Sequence, residues 1–477
     1  MKVKLTNLLL LAVFLSSPSQ AQTNRALVKA YEEVRISAIA KAEKSVVAVA
    51  RIRRPLPGAS VRRGPNPTSS DFVPSEYASG VVIDAKGFVL TTQHVLGDPK
   101  KNNYVIFLGR KPYNAKVKAT DPWLDLAVLE IQNKGVSFAP IQFADYAKVR
   151  KGQSVLALGN PFAIARDGQA SVSQGILSNM ARKAPQIANA PKRVPKQPTL
   201  HHYGTLLQTD AKLNQGTSGG ALVDMDGRMI GLITSLAAGA RFERAAGFAI
   251  PIDAVALRAI KTLKQGRQPE YGFLGVQTLD MTAAARRAGR FGVRVRVAAG
   301  TPASRGGLRN GDVVLKVNGR EVFGRTDLTK EICGYPVGTK VSLLISRGRS
   351  DNRRGRQLVQ KVTLSKRYVA GLRPAYAQSP LPRWRGVEID YGTAVPVAVL
   401  QELSINVDPT RHVVVSSVKR DSIAWKAGLR QYDYVSHVGD RRVHTPKEFF
   451  AAVRTQGGSI KIRLANRKDV QRLVPGK

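Results

Sequence analysis

The chain has 477 residues, 43% of them hydrophobic, with 75 Lys and Arg against 33 Asp and Glu for a net charge of +42. That apolar content excludes a chain disordered throughout, and the length suits about three units of roughly 100–200 residues each. The charge excess favours anionic partners without selecting one.

Lys2 and Lys4, the apolar run Leu8 to Leu15 and the small-residue site Ser19-Gln20-Ala21 have the layout of a secretory signal. Residues 1–21 are therefore expected to be removed, leaving a mature chain that starts near Gln22 outside the cytoplasm; an uncleaved anchor is the alternative. The run is short for a membrane span. Residues 27–43 mix Ala, Glu and Lys with spaced apolar positions, which predicts a helix. Residues 45–52 turn β-like, and 54–75, rich in Pro, Gly and Ser, read as an excursion between strands. From Gly80 short strands with turn residues between them follow closely, the pattern of an antiparallel barrel or sandwich. A second excursion, 181–204, carries five Lys or Arg, four Pro and no acid. Strand-like pieces then resume, a helix over 252–264 closes the unit, and 265–269 (QGRQP) reads as a hinge.

Two similar modules follow. Each runs strand, small-residue segment, short helix, Gly-Leu pair, a turn with Asp312 or Asp433, then another strand and a β-turn. A Pro-rich linker, 374–385, separates them. The single cysteine, Cys333, forms no internal disulfide, and its setting between Ile332 and Gly334 suits a filled core position better than a nucleophile. With no second thiol and no clustered histidines, no metal centre is expected.

Six histidines occur: His94, His201, His202, His412, His437 and His444. His94 ends the apolar run GFVLTTQHVL, and a lone strand histidine is ordinarily a satisfied core or surface residue. Its company changes that reading. Asp125 lies in DPWLDLAVLEI, just before a strongly apolar strand, where a buried carboxylate needs a partner. Ser218 sits in NQGTSGGALVD, whose glycines permit a tight turn that exposes a hydroxyl. A serine hydroxyl needs an imidazole to take its proton, the imidazole needs a carboxylate to fix its tautomer, and backbone N–H groups near Gly216 and Ser218 suit a developing oxyanion. The chain order His, Asp, Ser is that of double-barrel proteases, unlike the order in α/β-hydrolases.

These blocks, with VLALGNPF at 155–162, LLQTDAKLNQGTSGGALVDMDGRMIGL around Ser218 and GFAIPI at 247–252, resemble the HtrA/Deg family of exported trypsin-like serine proteases with C-terminal PDZ domains. The resemblance covers about residues 27–366, with 386–465 resembling a divergent second PDZ. It implies a mainly β, multidomain chain: a chymotrypsin-like double β-barrel over 27–265, a first PDZ domain over 270–366 and a PDZ-like domain over 386–465. It also implies a cofactor-free serine endopeptidase of unfolded or damaged proteins, located in the periplasm or an equivalent envelope compartment. His94 would be the general base, Asp125 its orienter and Ser218 the nucleophile, with Gly216 and Ser218 forming the oxyanion hole. Residues 231–235 (GLITS) would pair with substrate backbone and border a pocket for a small or aliphatic side chain. A homotrimer or larger assembly is implied, with Tyr31 a candidate contact.

Two departures from the family's usual NPGNSGGPL matter: Gln215 replaces Pro, and Thr217 replaces the Asn before the nucleophile. Both bear on the resting geometry of the turn. Phe273-Leu274-Gly275-Val276 resembles the loop by which PDZ domains take a peptide's terminal carboxylate, the peptide adding as a strand. The second module has no clear Leu-Gly loop, and Arg385-Gly386-Val387-Glu388 substitutes poorly for it. Residues 340–373 hold ten Lys or Arg against Asp351 alone, which suits a solvated loop surface or an anionic envelope surface. No recognition-helix or zinc-finger signature accompanies them, so nucleic acid is not an expected partner. The rival function is a non-catalytic peptide-binding scaffold or holdase, in which the altered turn keeps Ser218 misaligned.

Overall fold

Short strands with one face fully buried roll up into two closed barrels, as their close spacing and turn residues predict. The computed structural model describes residues 20–55, 69, 72, 74–133, 135–160, 169–183, 199–234, 247–348, 355–369, 376–379, 381–467 and 470–476. Most of the expected signal, most of both excursions and part of the basic 340–373 stretch lie outside the described residues.

The first barrel comprises β1 (Val46–Arg53), β2 (Glu76–Val82), β3 (Phe88–Thr92), β4 (Asn102–Leu108), β5 (Lys111–Asp121) and β6 (Leu126–Ile131), in the order β1-β2-β3-β6-β5-β4. The second comprises β7 (Ser154–Gly159), β8 (Ser171–Arg182), β9 (Leu206–Thr209), β10 (Ala221–Val223), β11 (Met229–Thr234) and β12 (Gly247–Pro251), ordered β10-β11-β12-β9-β8-β7. A helix, α1 (Gln20–Glu43), precedes them and starts seven residues before the expected Leu27. A single turn, α2 (Gln93–Leu96), follows β3, and α3 (Ala254–Lys264) closes the barrels. Asp253 caps α3 by accepting from the N–H groups of Val255 and Ala256. One apolar cluster joins both barrels to α1 and α3, including Leu90, Leu126, Leu156, Leu232, Ala38 and Leu263. Tyr271 and Cys333 from the next unit complete it, and burial pushes the Cys333 thiol up to about 11.

The second unit pairs β13 (Gly272–Phe273) with β20 (Ser365–Lys366). Its main sheet runs β14 (Val276–Leu279), β15 (Val293–Val297), β16 (Val313–Val317), β18 (Lys340–Arg347), β19 (Arg356–Thr363), with β17 (Arg320–Glu321) paired to β16. Helices α4 (Ala283–Arg287), α5 (Pro302–Arg305) and α6 (Arg325–Gly334) cover it. The third unit repeats this plan with β21 (Arg383–Trp384), β22 (Val387–Tyr391), β23 (Val413–Val418), β24 (Tyr434–Val438), β25 (Arg441–Arg442), β26 (Ile460–Leu464) and β27 (Gln471–Val474), so its sheet runs beyond residue 465. Its helices are α7 (Val397–Glu402), α8 (Ile423–Lys426) and α9 (Pro446–Arg454).

The repeat extends to single side chains. Asp312 accepts from the Arg309 N–H at 2.8 Å and is gripped by Arg347 at 2.8 Å. Asp433 accepts from the Arg430 N–H at 2.8 Å and pairs with Arg467 at 2.9 Å. Gly275 and Gly386 also correspond: in each module the preceding carbonyl, of Leu274 or Arg385, accepts from the N–H of Ala303 or Ala424. Arg385-Gly386 therefore takes the backbone place of Leu274-Gly275, although sequence alone marks it as a poor substitute. Arg385 stacks on Trp384 at 4.7 Å and donates to the carbonyls of Val474 and Gly458.

The stretch 265–269, expected as a hinge, is pinned. Ser379 donates its N–H to the Gly266 carbonyl at 2.9 Å and its hydroxyl to that of Gln265. The same strap crosses β5: Thr120 N–H donates to the Tyr376 carbonyl at 2.9 Å, Tyr376 N–H donates back to the Thr120 hydroxyl at 2.8 Å, and Ala377 bridges Ala119. Lys366 bridges the two modules, pairing with Asp390 at 2.7 Å and with Glu270 at 3.2 Å.

Candidate active site

β3 delivers the chain into α2, where His94 stands a quarter exposed. The β5–β6 turn brings Asp125 to it with φ +53°, a left-handed conformation that Asp tolerates at some cost. The Asp125 carboxylate accepts twice from one residue: from the His94 backbone N–H at 2.9 Å and from Nδ1–H of the ring at 2.7 Å. The Asp125 carbonyl accepts from Gln93 N–H at 3.0 Å. Ring and backbone are thus oriented together, leaving Nε2 directed away from the carboxylate, the tautomer a base requires.

Ser218 comes from the turn before β10 and is 6% exposed. Its turn is docked on the first barrel. The Ser218 carbonyl accepts from Ser79 N–H at 2.9 Å, the Ser79 hydroxyl donates to the Gly216 carbonyl at 2.8 Å, and Thr91, on the strand that leads to His94, donates to the Ser79 carbonyl at 2.8 Å. Gly219 has φ +87°, and a Cβ there would stand 2.1 Å from the Ser79 carbonyl oxygen. Only glycine fits this approach. The departure at Thr217 has a use: its hydroxyl donates to the Asn214 carbonyl at 2.7 Å and its N–H to the same oxygen at 3.2 Å, closing the turn where Gln215 has replaced proline.

Sequence reasoning missed the supports behind Asp125. The buried His201 donates Nε2–H to the Leu124 carbonyl at 2.9 Å and accepts at Nδ1 from the Thr205 hydroxyl at 2.7 Å. Burial lowers its pKa and keeps it neutral. Leu200 N–H donates to the Trp123 carbonyl at 2.8 Å. Asp121 accepts from Trp123 N–H at 3.0 Å and from the Tyr271 hydroxyl, and burial raises its carboxyl to about 6. These partners lie 77 residues (His201) and 150 residues (Tyr271) from the turn they hold, beyond any local sequence signal.

Within the 231–235 stretch, residues 231–233 are paired on both sides inside the barrel. Gly231, Leu232 and Ile233 spend both edges on the neighbouring strand β12 and on β10 or the Gly219–Gly220 turn. Ser235, the last residue of that expectation, lies outside the described residues. Phe273-Leu274-Gly275-Val276 forms a separate site: Leu274 and Val276 border a small hollow with Leu328, Ile332 and Cys333, beside β14 at the end of its sheet. Arg367 lines the same hollow and stacks on Trp123 at 4.7 Å.

Two six-stranded barrels, one with a buried aspartate orienting a histidine and the other docking a glycine-rich serine turn on the first, define a chymotrypsin-like serine protease fold, here followed by PDZ-like modules. A family model for the trypsin-like peptidase domain matches residues 78–232, and one for the PDZ domain matches 272–354. The chain is 30% identical over 420 residues to a probable periplasmic serine endoprotease DegP-like of Chlamydia muridarum, covering 87% of this chain and 76% of that one. It is 30% identical over 362 residues to the periplasmic serine endoprotease DegP of Salmonella typhimurium, covering 75% and 67%. The solved HtrA-type protease AlgW with tripeptide superposes with a TM-score of 0.51 at 27% identity, covering 70% of this chain and 97% of that one. The chain belongs to the HtrA/Deg family of serine proteases with PDZ domains.

Proposed function

We propose that this chain is a periplasmic endopeptidase that hydrolyses peptide bonds in unfolded or damaged proteins by acyl transfer. His94 takes the proton of the Ser218 hydroxyl as it attacks the scissile carbonyl, and Asp125 stabilises the imidazolium that results. The N–H groups of Gly216 and Ser218 receive the oxyanion. The carrying observation is the double grip of Asp125 on His94, at 2.9 and 2.7 Å, in the barrel on which the Ser218 turn docks. The first PDZ-like module takes peptide C-termini through backbone N–H groups of Phe273 to Val276.

A homo-oligomer is part of this reading. Leu27, Val28, Tyr31 and Val34 on α1, and Val172 and Ile176 on β8, leave apolar side chains exposed, and Gln174 donates to the Tyr31 hydroxyl between them. Such a patch suits burial against further copies. The decisive experiment is cleavage of denatured casein by the mature protein beside its Ser218→Ala and His94→Ala forms. Both substitutions should remove nearly all hydrolysis while circular dichroism stays unchanged. Parental rates in Ser218→Ala would remove Ser218 as the nucleophile, and no cleavage by the parent would leave the scaffold reading.

A further inference from the structure

The segment 281–311 carries seven arginines and no acid. Arg286 and Arg287 end α4 and are exposed, and the next turn presents Phe291, 57% exposed, which packs edge-on at 5.5 Å against Phe323, 56% exposed. Phe323 lies just before α6, whose first residue, Arg325, reaches across to β14. Its Nε–H donates to the Thr278 hydroxyl at 3.3 Å, and its guanidinium stands 3.5 Å from Asp280. Two exposed aromatic rings and the exposed Arg325 guanidinium therefore lie at the N-terminal end of α6, with Arg286 and Arg287 a few residues before Phe291 in the chain.

That position lies in line with the peptide groove. The hollow at Leu274, Val276, Leu328 and Ile332 marks the other end of α6. Arg325 and Ile332 are seven residues apart, about 10 Å of helix at ~1.5 Å per residue. An extended peptide advances ~3.4 Å per residue, so about three residues separate the carboxylate pocket from Arg325. β14 pairs only with β15 among the described strands, so its other edge faces the groove.

We propose that this aromatic and guanidinium cluster is a second peptide subsite, selecting acidic and aromatic residues from the third residue upstream of a bound C-terminus. The proposal rests on carboxylate capture by the Phe273–Val276 loop. An incoming carboxylate replaces Asp280 as the partner of Arg325, and an aromatic ring extends the Phe291–Phe323 pair. The ligand class is a protein C-terminus with an apolar last residue behind an acidic, aromatic stretch.

The test uses the full chain carrying Ser218→Ala and fluorescence anisotropy with ten-residue peptides that share an apolar last residue. One has Asp, Glu and Tyr upstream from the third position; its partner has Lys, Lys and Ser there. The acidic peptide should bind roughly tenfold tighter at low salt, with the gap closing as salt rises. Arg325→Glu should reverse the preference, and Phe291→Ser with Phe323→Ser should erase the advantage of Tyr over Ser. Equal binding of the two peptides, with amidation still abolishing both, overturns the subsite and leaves carboxylate capture standing. Binding indifferent to amidation overturns carboxylate capture itself. A cluster that binds phosphatidylglycerol vesicles through Phe291 and Phe323 but shows no peptide preference is a membrane contact, which also overturns the proposal.

Discussion

His201 has no solvent contact and no charge to offer, yet it holds the carbonyl directly before Asp125. Replacing it with Phe keeps the ring volume and leaves the Leu124 carbonyl without its donor, a loss of about 1–3 kcal/mol for a buried group. The larger effect is expected in catalysis, because about 1 Å of displacement at a reacting group can cost around a hundredfold. His201→Phe should lower kcat by roughly ten- to a hundredfold with KM nearly unchanged. His201→Gln, whose amide nitrogen reaches the same carbonyl, should recover most of it. Equal kcat in the parent and the Phe form, from steady-state assays on a chromogenic peptide, would remove His201 from the positioning network. The pairing of His94 with Asp125 and the glycine-rich turn at Ser218 were legible because each residue sits in a local block with its own composition. His201 was not, since its neighbours Leu200, His202 and Tyr203 say nothing about a carbonyl 77 residues away.

At the scale of elements, the strand pattern carried most of the barrels: β6 and β7 read as apolar runs because both of their faces are covered, whereas β8 escaped, since Val172 and Ile176 stand on its exposed side and only Leu177 is buried. The helix α3 was legible to within two residues of its start, although its Asp253 cap was not. What escaped was how elements tie to one another, such as Tyr271 reaching from the entry to β13 back to Asp121 at the end of β5. That contact has a signed consequence. Asp121 titrates near 6 in the folded protein against an ordinary 3.8, so its contribution to stability is complete below about pH 4 and is lost as pH rises through 6. His201 and His412 run the other way: both are depressed by burial, His412 to about 4, so their contribution holds above about 6.5 and is lost on acidification. The two slopes oppose each other between pH 4 and 6. Asp121→Asn removes one, so thermal unfolding of that variant should show a steeper loss of Tm between pH 6 and 4 than the parent. Parallel Tm profiles would show that Asp121 does not titrate in that window.

At the scale of the molecule, the exposed apolar face of α1 and β8 sets the expected assembly. Leu27→Asp with Tyr31→Asp should move the protein to lower mass in light scattering while leaving the fold intact, and an unchanged mass would locate the interface elsewhere. The repeat of the two modules was visible in their Gly-Leu pairs and Asp turns, because each module closes on contacts within about ninety-five residues, as Gly272 with Lys366 and Arg385 with Val474. Their attachment to the barrels was not, since it depends on a strap, 376–379, that has no composition of its own beyond a Pro-rich surround.

The strap has a consequence for unfinished chains. It reaches β5 about 110 residues after the barrels end at Lys264, and it fixes Thr120, the neighbour of Asp121, in the run that delivers Asp125. A fragment cut or stalled anywhere between those points already owns both barrels, His94, Asp125 and Ser218, but not the clasp on β5. Such fragments should be poor proteases.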